Sequence, residues 1–293
     1  MADPIELLIQ GRPHELAPGF PVRRVLPSVK RRTVGPFIFL DHFGPMVVPP
    51  GGDGMEVRPH PHIGLATVTY LFEGGIFHRD SLGYAQAIRP GDVNWMTAGS
   101  GIAHSERTED AMKRSGFAMH GVQTWVALPR PHEETAPAFQ HVDAALLPFW
   151  HEGAAELRLI VGTYKGRTAP TTHFSPIFYV GCDMPAGARI VVTPDHVERG
   201  VYVAAGGLIL GDRQLAPGDL AVLSVGQTVE VVASFAGAKA MLLGGAPLDG
   251  PRHIWWNFVS SSKERIERAK ADWKGGRFGK VPGDDEFIPL PDR

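Results

Sequence analysis

Two short stretches carry residue types able to do chemistry. In "VRPHPHIGLATVTYLFEGG", His60 and His62 lie one residue apart, each preceded by a proline, Pro59 and Pro61. In "TAGSGIAHSERT", His104 and Glu106 repeat that spacing. Residues i and i+2 of a β-strand project from the same face. If both stretches are strands, each pair aims its side chains to one side, while the prolines, lacking a donor, suit an edge or a strand entry. Three imidazoles and one carboxylate then form a ligand set for a first-row transition metal, the carboxylate favouring harder ions such as Fe(II) or Mn(II). The competing reading is four hydrogen-bonded polar side chains in loops. A lone His-x-His deserves that reading; a downstream His-x-Glu of the same spacing favours metal.

Positioning such a set requires strands, and short strand-like runs dominate the chain. RIVVTP, GVYVAAG, GLILG, DLAVLSVG and TVEVVASF are rich in valine and closed by turn residues, as in a sandwich or barrel. Glycine (35) and proline (26) punctuate the whole length of 293 residues. Helical periodicity is concentrated in "SSSKERIERAKADWKGG". There Ser261 and Glu264 have capping-box spacing, Ile266, Ala269 and Trp273 share a face, and Gly275 and Gly276 stop the helix.

A weak internal repeat supplies a control on the ligand set. TYLFEGG precedes IRPGDVNWM, and VYVAAGG precedes LAPGDLAVL, with an intervening loop five residues shorter in the second copy. Two related barrels are expected, divided in the Pro-rich, weakly periodic segment after Pro129. Aligning on the tyrosines sets Val192 and Pro194 opposite His60 and His62. Aligning on Pro-Gly-Asp sets Val231 and Ala233 opposite His104 and Glu106. The second copy has none of the four ligands, so the metal belongs to the first barrel.

The remaining histidines rank lower. His78, in "GGIFHRDSLG", is read as a loop residue at the surface or behind a ligand. His120 is read as structural, on the strand face opposite Met119, Gln123 and Trp125. His132, His141, His151 and His173 sit in polar or proline-rich segments and are expected to face solvent. The single cysteine, Cys182, is read as a small buried hydrophobe.

Several function classes are excluded or disfavoured. Lys plus Arg number 29 against 31 Asp plus Glu, leaving no basic footprint for nucleic acid or an anionic membrane. "TAGSGIAH" fails the Gly-x-Ser-x-Gly pattern at its first glycine, and "GGDGMEV" is not followed by a helix, so neither a nucleophile elbow nor a phosphate cradle is expected. No apolar run approaches the roughly 18–20 residues that span a bilayer. One cysteine forms no intramolecular disulfide, and the N-terminal stretch lacks a basic and then apolar leader. The expectation is a cytoplasmic monomer.

Taken together, "RPHPHIGLATVTYLFEG", "RPGDVNWMTAGSGIAHSE", "GVQTWVALP" and "WWNFVSSSKERIERAKADWKGGRF" resemble the pirin family of the cupin superfamily. The resemblance runs from about Arg23 to the final "FIPLP". It implies an all-β bicupin: two tandem jelly-roll barrels packed face to face with a short C-terminal helix. The implied division is a metal-binding cupin domain over residues 1–135 and a degenerate one over 136–293 that includes the helix. The family's ligand positions fall on His60, His62, His104 and Glu106. Where the general cupin first motif has a glutamate soon after the second histidine, this chain has Ala66 and Thr67.

The activity implied is that of the bacterial quercetinase-like pirins: a metal-dependent dioxygenase that cleaves a flavonol ring with O2 and releases CO. The cofactor would be one divalent transition metal, Fe(II) first, with Mn, Ni, Co, Cu or Zn as alternatives. Glu106 would be both ligand and base. Phe43, Met55, Met96, Trp95 and Trp125 are bulky enough to flank an aromatic substrate, but apolar residues of this kind are ordinarily core. The rival implication is a regulator, since family members also act as transcriptional cofactors or modulators of metabolic enzymes. That reading needs a protein partner and no direct nucleic-acid contact.

Overall fold

The computed structural model describes residues 3–17 and 19–292. It is a mostly β protein with two cupin domains. Packing separates the chain into two compact units. One comprises Met1–Pro13, Arg23–His42 and Val142–Pro247; the other comprises His14–Val22, Phe43–His141 and Leu248–Arg293. These differ from the contiguous spans 1–135 and 136–293: the C-terminal helix lies in the unit of the four candidate ligands, because its apolar face packs there.

In that unit one sheet has four strands in the order Glu56–His62, Ile102–Arg107, Ile76–Asp80, Ala85–Ile88. The strand bearing His60 and His62 is therefore an edge strand, which tolerates the missing amide donors of Pro59 and Pro61. A second sheet places Leu65–Glu73 between Val93–Thr97 and Phe117–Ala127. Side chains from both sheets meet at Glu106. An apolar cluster including Phe43, Met55, Val57, Leu71 and Met119 fills the same unit.

The helix runs Lys263–Lys274. Its N-cap is Ser262, whose Oγ accepts from the Arg265 amide at 3.1 Å, one residue later than expected. Ser261 is already committed: its amide and hydroxyl both donate to the Glu133 carboxylate. Ile266 and Ala269 are buried, and with partly buried Trp273 they pack on Ile63 and Phe258.

The repeat is visible in two equivalent turns. Arg89-Pro90-Gly91-Asp92 and Ala216-Pro217-Gly218-Asp219 each close with an amide from the aspartate to the first residue's carbonyl. In each, the aspartate carboxylate takes back the first residue's amide, at 3.1 and 2.9 Å. Gly91 and Gly218 have φ of 85° and 97°, so glycine is required in the third place after proline. Each turn leads into a strand, Val93–Thr97 and Asp219–Leu223.

In the other unit the positions equivalent to ligands are ordinary core. Val192, Val231 and Ala233 lie in one apolar cluster with Val203, Leu223 and Leu242, and Pro194 is exposed. Cys182 is buried in that cluster, and burial pushes its thiol pKa up.

Candidate metal centre

The edge strand and the Ile102–Arg107 strand pair antiparallel with His104 opposite His60. The register slips between His104 and Glu106, which lies opposite Val57, so the edge strand carries an extra residue there. Such a bulge bends a strand and re-aims its side chains. His60, His62 and His104 converge: each offers one ring nitrogen, and these atoms lie within 4.8 Å of one another. The ring centroids are 4.4 to 5.0 Å apart and all three residues are buried.

Each ring is oriented from behind. His60 Nδ1 is 2.8 Å from the Arg58 carbonyl, and His62 Nδ1 is 3.2 Å from the Asn257 carbonyl. A carbonyl only accepts, so both Nδ1 atoms carry the proton and both Nε2 lone pairs are free for a cation. His104 Nδ1 lies 3.4 Å from His78 Nδ1, while its Nε2 is buried with no hydrogen-bond partner. A buried, unpartnered imidazole nitrogen costs stability unless something fills the place. Burial lowers all three imidazole pKa values, His60 to about 4, so these rings are neutral at pH 7. Three converging neutral imidazoles fit a divalent transition metal.

Glu106 is buried but stands outside the 4.8 Å group. Gln123 Nε2 donates to its Oε2 at 2.7 Å and Thr69 Oγ1 to its Oε1 at 3.2 Å. Burial raises its pKa, and the Gln123 bond opposes that rise. The structure thus brings the three histidines together and holds Glu106 beside them on the other sheet's polar side chains.

Two participants carry no assignment in the sequence, and a third is placed there in a loop. Gln123 and Thr69 are ordinary strand residues until the second sheet folds over Glu106. His78 is not in a loop: it lies on the strand Ile76–Asp80, is buried, and stacks on Phe139 with centroids 4.3 Å apart. Its alternation with Asp80 was the available signal. Of the candidate walls, Trp125 adjoins the centre, its ring 5.2 Å from that of His62 at 77°. Phe43 and Met55 lie in the apolar cluster, and Trp95 spends its Nε1 donor on Thr97. His120 is buried against Phe72, as a structural residue would be. His132 and His151 are exposed, whereas His141 is half-buried on Asn94 and His173 is half-buried on the Thr171 carbonyl.

The chain is similar to known proteins along most of its length. The family model Pirin matches residues 19–126, and the Pirin C-terminal cupin domain matches residues 179–279. A pirin-like protein of Caulobacter vibrioides is 49% identical over 292 residues, covering 98% of this chain and 100% of that protein. The crystal structure of a quercetin 2,3-dioxygenase from Acinetobacter baumannii is similar with a TM-score of 0.89 at 34% identity, covering 98% of this chain and 96% of the other. A second Acinetobacter baumannii structure described as quercetin 2,3-dioxygenase has a TM-score of 0.86 at 30% identity, covering 94% and 98%. Among the described residues no helix is long and apolar enough to cross a membrane.

Proposed function

Because the chain belongs to the pirin family, we propose that it is a metal-dependent dioxygenase resembling quercetin 2,3-dioxygenase, cleaving a flavonol-like aromatic substrate with O2 and releasing CO. The observation that carries the reading is the buried triad of His60, His62 and His104 with an unpartnered Nε2 on His104. The likeness of nearly the whole chain to two quercetin 2,3-dioxygenase structures supports it.

His60, His62 and His104 would hold the metal, with Glu106 as fourth ligand; Fe(II) suits this mixed nitrogen and oxygen set. When bound, the ion supplies Lewis acidity that makes a flavonol 3-hydroxyl easier to deprotonate. Glu106 accepts that proton. Its raised pKa makes it a better base than an exposed carboxylate, and Gln123 and Thr69 keep it aimed. The resulting flavonolate is electron-rich enough to react with O2, and ring opening expels CO. Trp125 provides an apolar flank for the substrate's rings beside His62. The buried site keeps bulk water from the anion.

Iron-loaded protein mixed with quercetin in air tests this. The flavonol absorbance band should decay with release of CO, and Glu106→Gln should abolish the decay. Decay at an equal rate in Glu106→Gln removes Glu106 from proton transfer. Absence of turnover with every flavonol, together with a partner recovered by pull-down, overturns this reading in favour of a regulator acting through protein contacts.

A further inference from the structure

His60 and His62 are oriented by the backbone carbonyls of Arg58 and Asn257. His104 is oriented differently. Its Nδ1 faces His78 Nδ1 at 3.4 Å, and His78 Nε2 lies 3.0 Å from Asp80 Oδ2. The other Asp80 oxygen accepts the amides of Leu82 and Tyr84 at 2.9 and 3.1 Å, which anchors the carboxylate. All three side chains are buried, and Phe139 stacked on His78 holds that ring in plane.

An imidazole between two partners must match both. Asp80 only accepts, so His78 Nε2 carries a proton. In the neutral ring Nδ1 is then a bare acceptor, and His104 must present Nδ1–H to it. That leaves the His104 Nε2 lone pair facing the triad, where the structure shows it without a partner. We propose that Asp80 and His78 are positioning residues that set the His104 tautomer and so complete the metal site from two shells away. This deepens the metal-site reading above and rests on it.

Asp80→Asn inverts the relay without changing its shape. The Leu82 and Tyr84 amides need an acceptor and keep the asparagine oxygen at the Oδ1 place. The amide NH2 then occupies the Oδ2 place and donates to His78 Nε2. His78 becomes an Nδ1–H donor, His104 Nδ1 must accept, and the His104 proton moves to Nε2, where it blocks coordination. His78→Asp has the opposite character: its carboxylate carries no donor, so in the Asp80→Asn background it accepts from His104 Nδ1–H.

Two measurements decide, both at pH 7.5. Imidazole 15N shifts of the metal-free full chain report the His104 tautomer, independently of metal or turnover. Competition between the protein and a chromogenic chelator for Co(II) reports affinity. Wild type should show His104 protonated at Nδ1. Asp80→Asn should show it at Nε2, with Co(II) bound 10–100-fold more weakly, the range for losing a group behind a ligand. The double variant Asp80→Asn/His78→Asp should recover most of the affinity, which simple structural damage would not allow. An Nε2–H tautomer in wild type, an unchanged tautomer in Asp80→Asn, or no recovery in the double variant each overturns the proposal. If wild type shows the Nδ1–H tautomer yet binds no Co(II), the metal reading fails while the relay stands.

Discussion

Thr69 and Gln123 stand directly opposite one another in the pairing of Leu65–Glu73 with Phe117–Ala127, and both donate to the carboxylate of Glu106 on the other sheet. Glu106 is thereby placed by a cross-strand pair and not by its own strand alone.

Gln123→Leu removes the shorter of the two bonds, 2.7 Å, and leaves a buried carboxylate with one donor. Stability should fall by about 1–3 kcal/mol in urea denaturation. That bond holds the Glu106 pKa down, so its loss should move the acid limb of kcat/KM for flavonol consumption to higher pH. An unmoved limb would separate Glu106 from the proton transfer.

Removing an imidazole should uncouple metal from stability. Added divalent metal should raise the wild-type melting temperature, a ligand at ~1,000-fold its Kd contributing about 4 kcal/mol. His62→Ala should lose that response, and elemental analysis should find its metal content reduced to a small fraction. Equal metal content in both proteins would place the ion elsewhere.

The metal-free protein should weaken in mild acid. The unfolded chain takes up protons on histidine near pH 6.5, whereas buried His60 resists to about 4, and His62 and His104 are lowered as well. Their stability contribution is therefore complete above about pH 6.5 and is lost as pH falls towards 4. His60 alone accounts for roughly 3 kcal/mol over that window. Glu106, with its pKa raised above 4.5, acts in the opposite sense: it stabilises below that value, and the effect is lost as pH rises through the folded pKa. Three imidazoles outweigh one carboxylate, so urea midpoints in EDTA should fall between pH 7 and 5.

The ion pair of Arg252 and Glu133, 2.6 Å and buried, ties the segment around Asn257 in place. Glu133 also takes the Ser260 and Ser261 hydroxyls ahead of the helix. Glu133→Ala should cost about 1–3 kcal/mol, because Arg252 keeps Asp249 while the Ser260 and Ser261 donors lose their acceptor. The Asn257 carbonyl orients His62, so competition for Co(II) should show weaker binding in the same variant. Unchanged Co(II) affinity in a folded, destabilised variant would show that the Asn257 segment holds without the clasp.

The pair His60 and His62 was legible because strand geometry is local: a period of two places them on one face, and only the pairing of two strands then brings His104 to them. That the three converging histidines lie in the first copy was legible for a similar reason, since apolar Val192 and Val231 at equivalent repeat positions offer no such side chain. The helix was legible in its face and its stop, but its cap slipped from Ser261 to Ser262. Two serines are alike in sequence, and only the distant Glu133 distinguishes them.

By itself the sequence determined the strand-rich class, the two-copy architecture and the three imidazoles, all properties of spacing along one chain, while its longer motifs carried the resemblance to the family. The folded structure alone decided what surrounds them: Gln123 and Thr69 on Glu106, His78 and Asp80 behind His104, Asn257 behind His62. Apart from His78 with Asp80, two residues along one strand, those contacts join residues 17 to 195 positions apart. No periodicity encodes such distances, because they are set by which strands become neighbours and by a bulge that shifts one register by a residue.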